Sequence, residues 1–220
     1  MRVIKRLLRI SPKDQHRIHA GSYPYLVTGC GRSGTHFIAR FLELNGLDIG
    51  HEVTGAEGAV GWLCASPAFC EERGAVFTKK AHQIRHPANA IRSILTMNGN
   101  AYRYFSRYVP EIQHPDRIIS AARYWVHWNR LALDGAELSV RLEDFQLAPD
   151  ETVRTLSDFF GRDLNPCLIG FAERYADSRK SRREYAHDLD LARVQRNDPA
   201  TWAELERLAH RFGYDPHQPL

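Results

Sequence analysis

The chain reads as an α/β protein, with strands and helices alternating in one domain. Three stretches predict this. Residues 25–28 form a short apolar run that breaks at Gly29; beyond Thr35 the apolar residues Phe37, Ile38, Phe41, Leu42 and Leu44 fall on one helical face. Residues 74–85 hold a second strand, or two short ones, followed by Pro87, which suits the first turn of a helix but not a central strand. Residues 116–133 carry the apolar rows of a long helix and lead into a strand within 137–145.

At 220 residues the chain is long enough for a substantial core. Its 43% apolar and 25% charged residues are ordinary for a globular protein. A net charge of +4 suits anionic ligands but is too small to argue for nucleic acid. Cys30, Cys64, Cys70 and Cys167 show neither a C-x-x-C nor a metal-ligand spacing, which implies reduced thiols, a cytoplasmic location and no metal site. No apolar run is long enough to cross a membrane, and the basic N-terminus is too interrupted for a signal peptide.

In chain order, residues 1–22 read as a basic arm and 23–220 as the domain. Loop 29–34 joins strand to helix and presents backbone N–H groups at a helix N-terminus, where the macrodipole favours an anion. It keeps the glycine spacing of the nucleoside-triphosphate loop G-x-x-x-x-G-K-[ST], at Gly29 and Gly34. Thr35 stands where that loop has its lysine and His36 where it has its metal-holding hydroxyl, while the cation sits inside the loop as Arg32. Such a loop holds a phosphate but is poorly equipped for Mg²⁺-dependent phosphoryl transfer.

Asn45 and Gly46 stop the first helix. Residues 47–62, with four interspersed glycines and His51, Glu52 and Trp62 among them, read as a mobile surface segment returning to the carboxyl edge of the sheet. Lys79, Lys80 and His82 lie just upstream of Arg85, the two lysines reading as a solvated face. The aromatic and basic stretch 98–110 reads as an amphipathic element with its rings packed inward, and no nucleic-acid partner is expected. Glu143 and Asp144 read as structural, bonding loop N–H groups or capping the next helix. Asp150 caps a helix that Gly161 ends; residues 170–198 are strongly charged, and the last helix stops at Gly213-Tyr214.

Arg32-Ser33-Gly34-Thr35 resembles the 5′-phosphosulfate loop of the sulfotransferases that use 3′-phosphoadenosine 5′-phosphosulfate (PAPS). Arg85-His-Pro87, with Ser93 eight residues after Arg85, resembles their 3′-phosphate motif. Weaker likenesses extend to Tyr214: the tryptophan-bearing segment 121–130, the Arg141-Leu-Glu-Asp element with Leu142 where tyrosine is usual, Phe159-Phe160-Gly161, and the terminal Gly-Tyr. The resemblance implies a parallel central sheet flanked by helices, P-loop NTPase-like, with PAPS as co-substrate and no metal. It implies that Gly31, Arg32, Ser33, Gly34, Thr35 and His36 cradle the 5′-phosphosulfate, and that Arg85 and Ser93 hold the 3′-phosphate. Ser178, Arg179 and Lys180, in the densest basic run, would close over the nucleotide. Arg32 and Glu52 would be catalytic, Glu52 as the base, with His51 as the alternative base and His82 a third. The acceptor would be a small molecule or carbohydrate. A P-loop kinase and a non-catalytic nucleotide-binding domain remain as rival readings.

Overall fold

The computed structural model describes residues 17–97, 105–178 and 189–218, with the side chains of 176–178 excluded. One five-stranded sheet runs through them: β1 (Gly21–Thr28), β2 (Ile49–His51), β3 (Gly58–Val60), β4 (Ala75–Ile84) and β5 (Leu138–Arg141), in the order β2-β3-β1-β4-β5. Every pairing is parallel, with Leu26 opposite Ala59 and Lys80, and Ile84 opposite Arg141. All five carboxyl ends therefore share one edge.

Both faces of the sheet are covered, as a parallel sheet requires. Strand alternation sends Val27, Val60 and Ala81 to one face, where they pack with α1 (Thr35–Leu44), α6 (Pro149–Phe160) and α7 (Ile169–Ser178). Leu26, Ala59 and Ile84 point the other way, into a core with α2 (Pro67–Arg73), α3 (Pro87–Leu95), α4 (Arg117–Leu133), α8 (Ala192–Asn197) and α9 (Pro199–Arg211). A single turn, α5 (Asp144–Leu147), links β5 to α6. The helix signals act locally. Pro87 opens α3, Asp116 Oδ1 accepts the Ile118 N–H at the start of α4, and Asp198 Oδ1 accepts that of Thr201 in α9. Asp150 lies in the first turn of α6 rather than at its cap, which is Ala148.

Three sequence expectations change. Segment 47–62 is not a mobile surface stretch: it holds β2 and β3, with Gly58, Ala59 and Val60 all buried. A Cβ on Gly58 would lie 1.8 Å from the Tyr25 carbonyl oxygen, so this glycine is what lets β3 seat against β1. Lys79 and Lys80 are not a solvated face. Lys80 Nζ donates to the carbonyls of Leu131 (2.9 Å) and Asp134 (2.7 Å) at the end of α4, and Lys79 Nζ to that of Phe159 (3.4 Å) at the end of α6. Residues 17–22, read as part of the arm, pack on the domain: Ile18 is buried, Arg17 forms an isolated bridge to Val53, and β1 begins at Gly21. Among the described residues no helix is long and apolar enough to cross a membrane.

Candidate functional site

The chain leaves β1 toward β3 and β2, then crosses to β4 and β5 on the other side. The crevice between the carboxyl ends of β1 and β4 is thus the topological switch point, where open α/β sheets bind ligands. Loop 29–34 follows β1, and Arg85 follows β4.

The two separated sequence motifs meet there. Arg32 Nε donates to Ser93 Oγ at 2.8 Å, and Arg85 Nη1 donates to the Arg32 carbonyl at 3.3 Å. Ser93 is buried on α3 and Arg32 is exposed. Gly34 takes the left-handed conformation (φ 95°) that turns the loop into α1, and no side chain caps that helix. The donors at its start have no partner within the helix. Ser33 Oγ and both amide atoms of Gln83 are buried without a hydrogen-bond partner among the described residues, and Gln83 Nε2 lies 3.2 Å from where a Cβ on Gly34 would be.

The back of the loop is committed to α4. Gly31 N donates to Tyr124 OH (3.1 Å) and Cys30 N to Asn129 Oδ1 (3.3 Å), while Ser33 N closes a turn onto the Cys30 carbonyl (3.0 Å). The Gly34 and Thr35 amides, at the opening of α1, have no partner within the helix. Asn129 Oδ1 also accepts from His82 Nε2 (3.1 Å), which fixes the proton on that nitrogen and leaves His82 Nδ1 to accept from Ser139 (3.3 Å). Burial holds His82 neutral, its pKa pushed down to about 4 against the opposing pull of the Asn129 hydrogen bond. His82 therefore braces the loop from inside the sheet and does not face the crevice. Burial likewise pushes the Cys30 thiol up, so it is no nucleophile.

Across the loop, at the end of β2, Thr35 Oγ1 and His51 Nε2 share a hydrogen bond of 3.0 Å, and the exposed His36 ring stacks on His51 at 3.6 Å. The Glu52 carboxylate is 3.9 Å from His51 Nε2. Its charge also contributes to pushing up the Cys64 thiol, behind the contact with Cys70 and burial. Among the described residues, the non-glycine residues with positive φ are Arg32 (76°) and Glu52 (57°). Side chains held this way cost roughly 1–3 kcal/mol each and collect at functional sites.

Arg85 is set by what surrounds its turn. Trp125 Nε1 donates to the Arg85 carbonyl (3.3 Å), and Glu143 accepts the His86 N–H (3.1 Å) and the Tyr214 hydroxyl (2.6 Å). His86 Nε2 donates in turn to the Asp215 carbonyl (3.0 Å). Glu143 thus bonds a loop N–H, and it also ties the Arg85 turn to the C-terminal Gly213-Tyr214. Asp144 pairs with Arg141. Arg179 and Lys180 lie outside the described residues, as do the side chain of Ser178 and most of the aromatic stretch at 98–104. Phe105, at the end of that stretch, packs inward against Trp62, Tyr124 and Trp128. Tyr124 and Asn129 were missed in the sequence because α4 reads as a packing helix. Their one signal is two polar groups on its apolar face. Among the described residues no group of three or more His, Cys, Asp or Glu side chains could hold a metal ion.

A parallel sheet with a glycine loop and helix at its switch point defines an α/β fold of the P-loop type. More narrowly, it is the fold of the sulfotransferases. The chain superposes on the sulfotransferase domain from the curacin biosynthetic pathway with a TM-score of 0.51 at 14% identity, covering 90% of this chain and 99% of that one. It superposes on the sulfotransferase domain from the Synechococcus PCC 7002 olefin synthase with a TM-score of 0.51 at 17% identity, covering 96% and 100%. No protein-family model and no curated protein matches the sequence.

Proposed function

We propose that this protein transfers a sulfuryl group from PAPS to a hydroxyl or amine of a small-molecule or carbohydrate acceptor. The observation that supports this is the convergence of Arg32, Ser93 and Arg85 at the switch point, two cations from the loops after β1 and β4 on one buried hydroxyl and one carbonyl. A donor with phosphate at both its 3′ and 5′ positions needs two such anchors. The Ser33 hydroxyl, without a partner among the described residues, and the amides opening α1 suit its 5′ end.

In this reading Arg85 and Ser93 hold the 3′-phosphate by charge-assisted hydrogen bonds, so binding energy remote from the reaction orients the donor. Arg32 and the Gly34 and Thr35 amides hold the 5′-phosphosulfate and offset charge on the departing phosphate. The acceptor oxygen or nitrogen attacks sulfur; the bond from sulfur to the bridging phosphate oxygen breaks, and its electron pair stays on the released 3′-phosphoadenosine 5′-phosphate. Glu52 takes the acceptor proton, and His51, hydrogen-bonded to Thr35, is the alternative base.

Thermal unfolding with 3′-phosphoadenosine 5′-phosphate, against ADP and against ATP with Mg²⁺, tests the donor site. A ligand at a hundred times its Kd stabilises by about 2.7 kcal/mol. Stabilisation that ADP does not match and EDTA does not alter, followed by sulfuryl transfer from PAPS to a panel of alcohols and amines, is the expected result. A larger, Mg²⁺-dependent effect of ATP would overturn the reading in favour of a kinase. Nucleotide binding without turnover on any acceptor would reduce it to a binding domain.

A further inference from the structure

Two cysteines that the site above does not use, Cys64 and Cys70, are brought together by a local turn. Cys64 lies in the 3₁₀ turn Leu63–Ala65 beyond the end of β3, and Cys70 lies on α2. Between them the backbone of Ser66 is extended, and its carbonyl accepts the Cys70 N–H at 3.3 Å. Cys70 Sγ donates to the Cys64 carbonyl at 3.6 Å, and the two thiol groups are in hydrogen-bonding contact with each other. Both are free thiols.

The two sulfurs are not equivalent. Cys64 is 3% exposed, whereas Cys70 is partly exposed. Once Cys70 ionises, it accepts a hydrogen bond from the Cys64 thiol. That bond draws its pKa down against the opposing effect of burial, and the Lys80 ammonium draws it further in the same direction. The contact with Cys70, and then burial, push Cys64 the other way and keep it protonated. A thiolate reachable from solvent, beside a cation and in contact with a second thiol, is what a peroxide-reactive cysteine and its resolving partner require. The other two cysteines stand elsewhere in the chain: Cys30 is buried with its thiol donating to the Gly31 carbonyl (3.4 Å), and Cys167 is exposed.

We propose that Cys64 and Cys70 form a reversible oxidation site for hydroperoxides, with Cys70 the attacking and Cys64 the resolving cysteine. The Cys70 thiolate attacks one oxygen of hydrogen peroxide. An S–O bond forms, the O–O bond breaks, and the departing hydroxide takes up the proton that Cys70 released. The Cys64 sulfur then attacks the Cys70 sulfur. The S–S bond forms, the S–O bond breaks, and hydroxide leaves with the Cys64 proton as water. Two thiols lose two electrons in all, and one peroxide becomes two waters. A small thiol reverses the reaction by exchange. The disulfide would tie α2 to the turn at the end of β3, and this proposal is independent of the sulfuryl-transfer reading.

The test treats the full chain with hydrogen peroxide, caps the remaining thiols with N-ethylmaleimide in denaturant, and weighs the tryptic peptides. Both cysteines fall in peptide 41–73, which has no internal lysine or arginine. The expected product is that peptide lighter by two hydrogen atoms and carrying no maleimide, formed before the exposed Cys167 gains oxygen. Dithiothreitol before capping should return it to two maleimides. In Cys64→Ser, Cys70 should stop at the sulfenic acid and be captured by dimedone; in Cys70→Ser, Cys64 should keep its maleimide. Two maleimides on peptide 41–73 when Cys167 is already oxidised would overturn the proposal. So would a bond from either cysteine to Cys167 of a second chain, or dimedone capture at Cys64 in Cys70→Ser equal to that at Cys70 in Cys64→Ser. The wild-type product decides the matter even where a variant folds poorly.

Discussion

His82 on β4 donates through Nε2 to Asn129 Oδ1 on α4, and that same oxygen accepts the backbone N–H of Cys30. One amide oxygen therefore couples the centre of the sheet to the glycine loop, and burial keeps the imidazole that donates to it neutral. The pKa of His82 falls from 6.5 to about 4 on folding, so the unfolded chain binds the extra proton first. Stability should be full above about pH 6.5, fall as the pH drops from 6.5 toward 4, and lose on the order of 3 kcal/mol across that window. Denaturant unfolding at a series of pH values measures this. In His82→Gln, which keeps a neutral donor, the slope between pH 6.5 and 4 should flatten; an unchanged slope would assign the acid sensitivity elsewhere.

The same contacts mark the limit of what the sequence discloses. The turn from β1 through Gly34 into α1 is legible because a run of apolar residues gives way to a 3.6-residue period across glycines, and Arg85 is legible because Pro87 fixes where its helix begins. Three-residue strands such as β2 and β3 carry too few side chains to show a period, and their glycines argue for a loop. His82 stood among the base candidates because it precedes the end of a strand. Its direction depends on a partner 47 residues away, and the parity that turns Lys80 and His82 toward α4 and Lys79 toward α6 is visible only once those helices are placed. Glu52 and His51 are base candidates through their place after the first helix and through the resemblance, whereas the strain at Glu52 has no trace in composition.

Arg85 is the residue that should tell a 3′-phosphate from its absence. Charge-assisted hydrogen bonds are worth about 1.5–3 kcal/mol, so Arg85→Ala should weaken binding of 3′-phosphoadenosine 5′-phosphate by roughly 10- to 150-fold while leaving ADP unchanged. Calorimetric titration of both nucleotides into both proteins separates the two effects. Equal weakening of ADP would mean that the substitution has only loosened the Arg32 carbonyl it supports.

Lys80 separates scaffold from site. Its ammonium is held by two carbonyls at the end of α4, and burial draws its pKa down. Lys80→Met keeps the stem and removes the donors, and should cost about 1–3 kcal/mol of stability by leaving those carbonyls unmet. Nucleotide affinity at a temperature where the variant is folded should not change. A large loss of affinity with little loss of stability would return Lys80 to the ligand.

Glu52 tests whether strain and chemistry occupy one residue. At φ 57° it sits where asparagine is tolerated far better than glutamate. Glu52→Asn should therefore hold the backbone at equal or slightly greater stability while removing the carboxylate from beside His51. If Glu52 is the base, kcat for sulfuryl transfer should fall by about 10²- to 10⁴-fold with nucleotide binding intact. His51→Asn would then cost less, through lost support from Thr35 and the His36 stack. The reverse order, with His51→Asn the more damaging and Glu52→Asn nearly silent, would move the proton to the imidazole. Glu52 would then be the group that orients it, and the strain at Glu52 would serve to aim that carboxylate rather than to accept a proton.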